Sequence, residues 1–160
     1  MNSPISTSPM RDSVLSGSVA SIASTFALLL CGKLELNDAW APLNGPSKWL
    51  FGRHAAYVPR FSMRHTVSGY LIHHAMSVAW AVVFEQSRLH SAAHRTHAKV
   101  PLSEAFATSA LACFVDYNLT PERLTPGFEK RLSRTSLAVV YGAFALGLVG
   151  GALLNAIQQR

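Results

Sequence analysis

The sequence predicts an all-α integral membrane protein, a four-helix up-and-down bundle with a long first loop. Three observations carry that prediction. Hydrophobic residues make up 49% of the 160 positions and charged residues only 14%, well under the roughly 25% usual for soluble domains. Mean hydropathy is +0.22 even with the loops counted. The apolar residues are also gathered into four runs of spanning length, and only helices or closed barrels satisfy their backbone in lipid.

Residues 1–13 are rich in Ser and Pro without apolar periodicity and read as a disordered tail. Residues 14–32 form the first run, 19 positions without a charge. As a helix they reach about 28 Å, enough for the hydrocarbon core. One Arg precedes this run, no A-x-A site follows it, and Leu30 stands before Cys31 where a lipoprotein site needs a small residue; an uncleaved helix is expected.

Residues 33–65 are the long loop. Pro42, Pro46 and Pro59 exclude one continuous helix, and "PSKWLFG" reads as a short interfacial turn with its aromatics at headgroup level. The second helix is expected over 66–84, the third, weaker one over 102–119 with Glu104 and Asp116 near its ends, and the fourth over 136–156. In the fourth, Ala143, Gly147 and Gly151 recur every four residues, a small-residue face that lets another helix approach closely. That face suggests a homodimer or another membrane protein as partner. These helices, about 14–32, 66–84, 102–119 and 136–156, make one transmembrane domain over 14–157.

Net charge is +6, but the basic residues cluster between the apolar runs, which suits anionic headgroups rather than nucleic acid. Loops 33–65 and 117–135 hold nine Lys and Arg, the tails and 85–100 five. The positive-inside rule therefore puts the two former loops in the cytoplasm and both termini outside.

Ionisable groups at membrane depth each need a reason. Adjacent His73 and His74 fall inside the second run, about 100° apart, so at most one faces a narrow core. Tyr70, Asp116 and Tyr141 lie at matching distances from the same end of their helices. Together Tyr70, His73, His74, Asp116 and Tyr141 form an expected polar layer that binds a small ligand or a proton. The plainer reading is a hydrogen-bonded network that fixes helix order, each bond contributing about 0.6 kcal/mol.

"HSAAHRTH" sets His90, His94 and His97 at i, i+4 and i+7, one helical face with spacing for zinc, copper or nickel. A solvated linker is the plainer account. Several enzyme classes fall away. Cys31 and Cys113 are not a C-x-x-C pair, and G-x-S-x-G and H-E-x-x-H are absent. The histidines do not reproduce the boxes of membrane di-iron enzymes, and a bis-His haem would need a second internal His on another helix. No catalytic residue and no cofactor is predicted, with a metal ion at the histidines as the exception to test. The preferred reading is a non-enzymatic polytopic membrane protein. The alternatives are a His-cluster metal-dependent membrane enzyme and a small dimeric channel or transporter.

The stretches "APLNGPSKWLFG", "RHTVSGYLIHHAMSVAWAVVFE" and "DYNLTPERLTPGFEKRLSR" resemble those of a group of small uncharacterised bacterial inner-membrane proteins with four transmembrane helices. The resemblance spans about residues 41–151. It implies a bacterial inner (plasma) membrane and places Asn44, His73, His74, Asp116, Pro121 and Pro126 in recurring motifs; it implies no substrate.

Overall fold

The computed structural model describes residues 9–93 and 100–159. It is helical throughout the regular elements of those residues, with long helices α1 (Pro9–Leu36), α2 (Ser68–Ala93), α3 (Leu102–Phe114) and α4 (Arg134–Gln158). α1, α2 with its preceding turn, and α4 are long and apolar enough to cross a membrane.

α1 starts earlier than the expected end of a tail at residue 13. Proline suits a first helical turn, where its missing N–H would have had no partner. Asp12 adds a carboxylate near the positive end of the helix dipole. The turn is then tied to the far end of α4: the Asn155 Nδ2 donates to the Asp12 carbonyl at 2.9 Å and Gln159 Nε2 to its carboxylate at 3.1 Å. Residues 1–8 lie outside the described residues.

Cross-links between helices fix their directions. Ser16 near the start of α1 bonds Glu85 near the end of α2, while Ser24 meets His73 three turns earlier on α2. α1 and α2 are therefore antiparallel, and the Asp12–Asn155 and Glu35–Ser133 bonds make α1 and α4 antiparallel as well. The chain must come back between α2 and α4, and α3 makes that return. It does so as a shorter helix than expected. The regular α-helix stops at Phe114 and a wider π-helical turn, Val115–Leu119, completes the run. Asn118 Nδ2 donates to the Phe114 carbonyl, and both Thr120 N–H and Oγ1 donate to the Val115 carbonyl. These local bonds compete with the regular ladder, and Pro121 ends it.

The interior of α1 is small and polar: Ser13, Ser16, Ala20, Ser21, Ser24 and Ala27 are buried. Leu28 is buried with them, but Phe26 and Leu34 point outward, 68% and 74% exposed. Leu71 on α2 and Leu146 and Ile157 on α4 repeat the pattern. Small buried residues let the backbones close in. A Cβ on Gly147 would stand 2.4 Å from the Ala20 Cα, and one on Gly151 2.3 Å from the Ser16 Cα. The Ala143/Gly147/Gly151 face therefore meets α1 of the same chain, with Gly147 and Gly151 buried.

The long loop is folded down rather than laid out as an interfacial ribbon. Residues 41–48 are all buried, in a 3₁₀ helix Pro42–Ser47 that runs into one α turn, Lys48–Phe51. Asn44, fully buried, organises it. Its Nδ2 donates to the Val58 and Arg60 carbonyls at 2.8 and 2.9 Å, and its Oδ1 accepts from Thr66 Oγ1 at 2.6 Å. Gly127, at φ +85°, brings its backbone against Gly45 and so joins this loop to the one before α4.

Candidate functional site

α3 packs more extensively on α4 than on α2, and the gap between α2 and α3 is a cavity of about 260 Å³. Ile72, Met76 and Trp80 of α2 make one wall, Ala112 and Asp116 of the α3 run the opposite one, and Val140, Tyr141 and Phe144 of α4 lie between them. The loops close one end with Trp49, Leu124 and Phe128. Most of the lining is apolar or aromatic, as in most small-molecule sites.

Asp116 sits in this lining as the single acidic side chain. Tyr141 Oη donates to Asp116 Oδ2 at 2.6 Å. The wide turn at 115–119 also places Tyr117 against Tyr141, edge to face with ring centroids 6.0 Å apart. A turn in which the helix is locally unwound re-aims side chains, and such turns recur at functional sites. One helical step away, Ser109 Oγ donates to the Tyr141 carbonyl at 2.6 Å and fixes the level of α3 on α4.

His73 reaches the same cavity from α2. Its Nε2 lies 3.0 Å from Ser24 Oγ, and that hydroxyl has its own acceptor in the Ala20 carbonyl at 2.7 Å. The ring also stands edge-on to Phe128, centroids 5.6 Å apart.

The expected polar layer is thus divided. His73, Asp116 and Tyr141 line one cavity. Tyr70 and His74 do not line it; they pack on each other with ring centroids 5.8 Å apart. Tyr70 belongs to the apolar cluster around Leu28, Leu43 and Leu132. His74 Nδ1 is buried without a hydrogen-bond partner. The 100° offset of neighbouring residues on a helix separates the two histidines. Equal depth did not bring Tyr70 to Asp116, because depth says nothing about which side of the bundle a residue faces.

His94 and His97 lie outside the described residues, so the expected triad with His90 is not placed. Among the described residues no three His, Cys, Asp or Glu side chains converge as metal ligands.

Two polar clusters were not read from the sequence. Glu85 is 1% exposed; its Oε1 accepts from Ser16 Oγ at 2.5 Å and its Oε2 from Arg88 Nε at 2.7 Å. Glu85 and Arg88 stand three apart on one helix, a spacing that could have flagged the pair. At the opposite end, Lys48 is buried, donates to Thr125 Oγ1 and lies 3.6 Å from Glu129. Burial pushes the Lys48 ammonium below its ordinary value, with Glu129 pulling the other way. No local signal marks this contact, which joins residues 77 apart in the chain.

Comparison with protein-family models, curated proteins and solved structures finds no match.

Proposed function

We propose that this chain is a non-enzymatic, multi-pass protein of a bacterial inner membrane, in which all four helices cross the bilayer and the α2–α3 cavity binds a small amphiphile. The carrying observation is the cavity itself: an apolar, aromatic-lined space of about 260 Å³ with a hydrogen-bonded Asp116–Tyr141 pair on its wall. That volume lies just below the roughly 300–1,000 Å³ of drug-sized sites, so the occupant is small. Its apolar body would replace the side-chain contacts α3 does not make with α2, and its polar end would meet the one acidic group of the lining.

The membrane location rests on the apolar helices and on the outward Leu, Ile and Phe side chains of α1 and α4, which a lipid environment would cover. The bacterial assignment rests on the resemblance of the three motif stretches. The positive-inside bias supports placing loops 33–65 and 117–135 in the cytoplasm. The buried Gly147/Gly151 face has no part in this reading, since α1 occupies it.

The test uses Trp49 and Trp80, both in the lining, in a Trp40→Phe background. Bromine-labelled octyl amphiphiles with ammonium, hydroxyl or carboxylate heads are titrated into the purified protein. Saturable quenching by at least one, weakened about fivefold or more when Ile72→Phe narrows the cavity, is the expected result. Quenching that never saturates and ignores the Ile72 change would remove the reading.

A further inference from the structure

We infer that the occupant of the α2–α3 cavity carries a positive charge: a lipophilic amine whose ammonium group pairs with Asp116. This deepens the reading above and rests on it.

Three of the glutamates are paired with basic side chains. Glu85 has Arg88 at 2.7 Å, Glu122 has Arg53 at 3.1 Å and Lys130 at 3.4 Å, and Glu129 has Lys48 at 3.6 Å. Asp116 differs. Among the described residues no Lys or Arg stands within ion-pair distance of it, and its side-chain bond is the one from the neutral Tyr141 hydroxyl to Oδ2. The Lys48 ammonium, buried in the loop region, is already held by Thr125 and Glu129. His73, the remaining basic side chain of the lining, has its Nε2 engaged with Ser24. Among the described residues, a hydrogen-bonded carboxyl group thus stands in an apolar wall with no Lys or Arg paired to it.

A carboxylate out of water is costly unless paired, so the group invites an ion that arrives with the ligand. The remainder of the lining suits that ion. Trp49, Trp80, Phe128, Tyr141 and Phe144 all face the same space, and aromatic faces attract ammonium groups, most strongly where water is excluded. An anionic head would meet Asp116 as a like charge, and a neutral head would leave it unpaired.

The three octyl amphiphiles share a chain and differ only in the head, so their order of affinity isolates the charge. Near neutral pH octylammonium is expected to bind at least about tenfold more tightly than octanol, equivalent to 1.4 kcal/mol, with octanoate weakest. Asp116→Asn, which keeps an oxygen for Tyr141, is expected to bring octylammonium and octanol to within about twofold. Tyr141→Phe removes the hydroxyl and leaves the carboxylate, and is expected to retain the preference for ammonium. Octanol or octanoate binding as tightly as octylammonium would overturn the charge assignment while leaving a ligand cavity. An ammonium preference that survives intact in Asp116→Asn would overturn it too. Failure of all three to bind saturably would remove the cavity as a ligand site altogether.

Discussion

Asn44 shows how much of this structure hangs on one side chain. It is fully buried, and its amide satisfies two carbonyls and a hydroxyl from three separate points of the chain. Asn44→Ala strands the Val58 and Arg60 carbonyls and leaves Thr66 Oγ1 only the Ser62 N–H, at about 1–3 kcal/mol per stranded group. The expected outcome is a marked fall in thermal stability with early protease cleavage between residues 52 and 62, followed by limited proteolysis on a temperature ramp. Lys48 makes a pH-dependent case. Its folded-state value is lowered because burial outweighs the attraction of Glu129. Between that lowered value and the unfolded value near about 10.4 the unfolded chain holds more protons, so stability rises as pH rises through that window. Lys48→Met should flatten the rise, as measured by denaturation midpoints from pH 8 to pH 11. Neither residue was legible as a keystone. Asn44 lies in a Pro-rich loop where Asn is ordinary turn chemistry, and its partners stand 14 to 22 positions away.

The long helices were readable because each depends on composition over a continuous stretch. α1, α2 and α4 fall on the three strongest apolar runs, and each extends past the expected ends where polar residues find cross-helix bonds: Asp12 with Asn155, Glu85 with Ser16, Ser133 with Glu35. α3 was read less well, since its hydropathy gave no sign of the wide turn that carries Asp116 and Tyr117. The small-residue face of α4 was legible as a packing face, while its partner was not; spacing cannot tell an internal neighbour from an external one. Gly147→Leu and Gly151→Leu test it. Each forces side-chain atoms into the α1 backbone at Ala20 or Ser16, a strain of at least about 1–3 kcal/mol. We expect the unfolding midpoint to drop in both variants, with no dependence on protein concentration. A concentration-dependent drop would mean that the face serves a second chain.

Across the whole molecule, serines and small residues share the interior with Leu28, Phe84 and Leu148, while Phe26, Leu34, Leu146 and Ile157 stand outside. The alternating helix directions place the start of α1 and the end of α4 at one end and loops 33–65 and 117–135 at the other. This gives a topological prediction. With Cys31 and Cys113 replaced by Ser, single cysteines at Arg11 and Arg53 in sealed inside-out and right-side-out vesicles should react with an impermeant maleimide from opposite sides. Arg53 is expected to label from the cytoplasmic face. Labelling of both from one side would break the antiparallel α1 in its bilayer placement.

On the proposed reading that all four helices cross the bilayer, the shortness of α3 has a physical outcome for the lipid around it. Its 13 α-helical residues rise about 20 Å, against about 42 Å for the 28 of α1. A hydrocarbon core of about 30 Å fits α1 with room to tilt, but exceeds the regular part of α3 by about 10 Å. Hydrophobic mismatch of this sign is relieved by local thinning of the bilayer. The thinning would be one-sided, on the flank where α2 and α3 part, and lipid headgroups there would dip toward the level of Asp116. Bilayer thickness then becomes a control variable. Amphiphile entry should be fastest in short-chain lipids and slow as acyl chains lengthen, measurable from the rate of tryptophan quenching in vesicles of graded chain length.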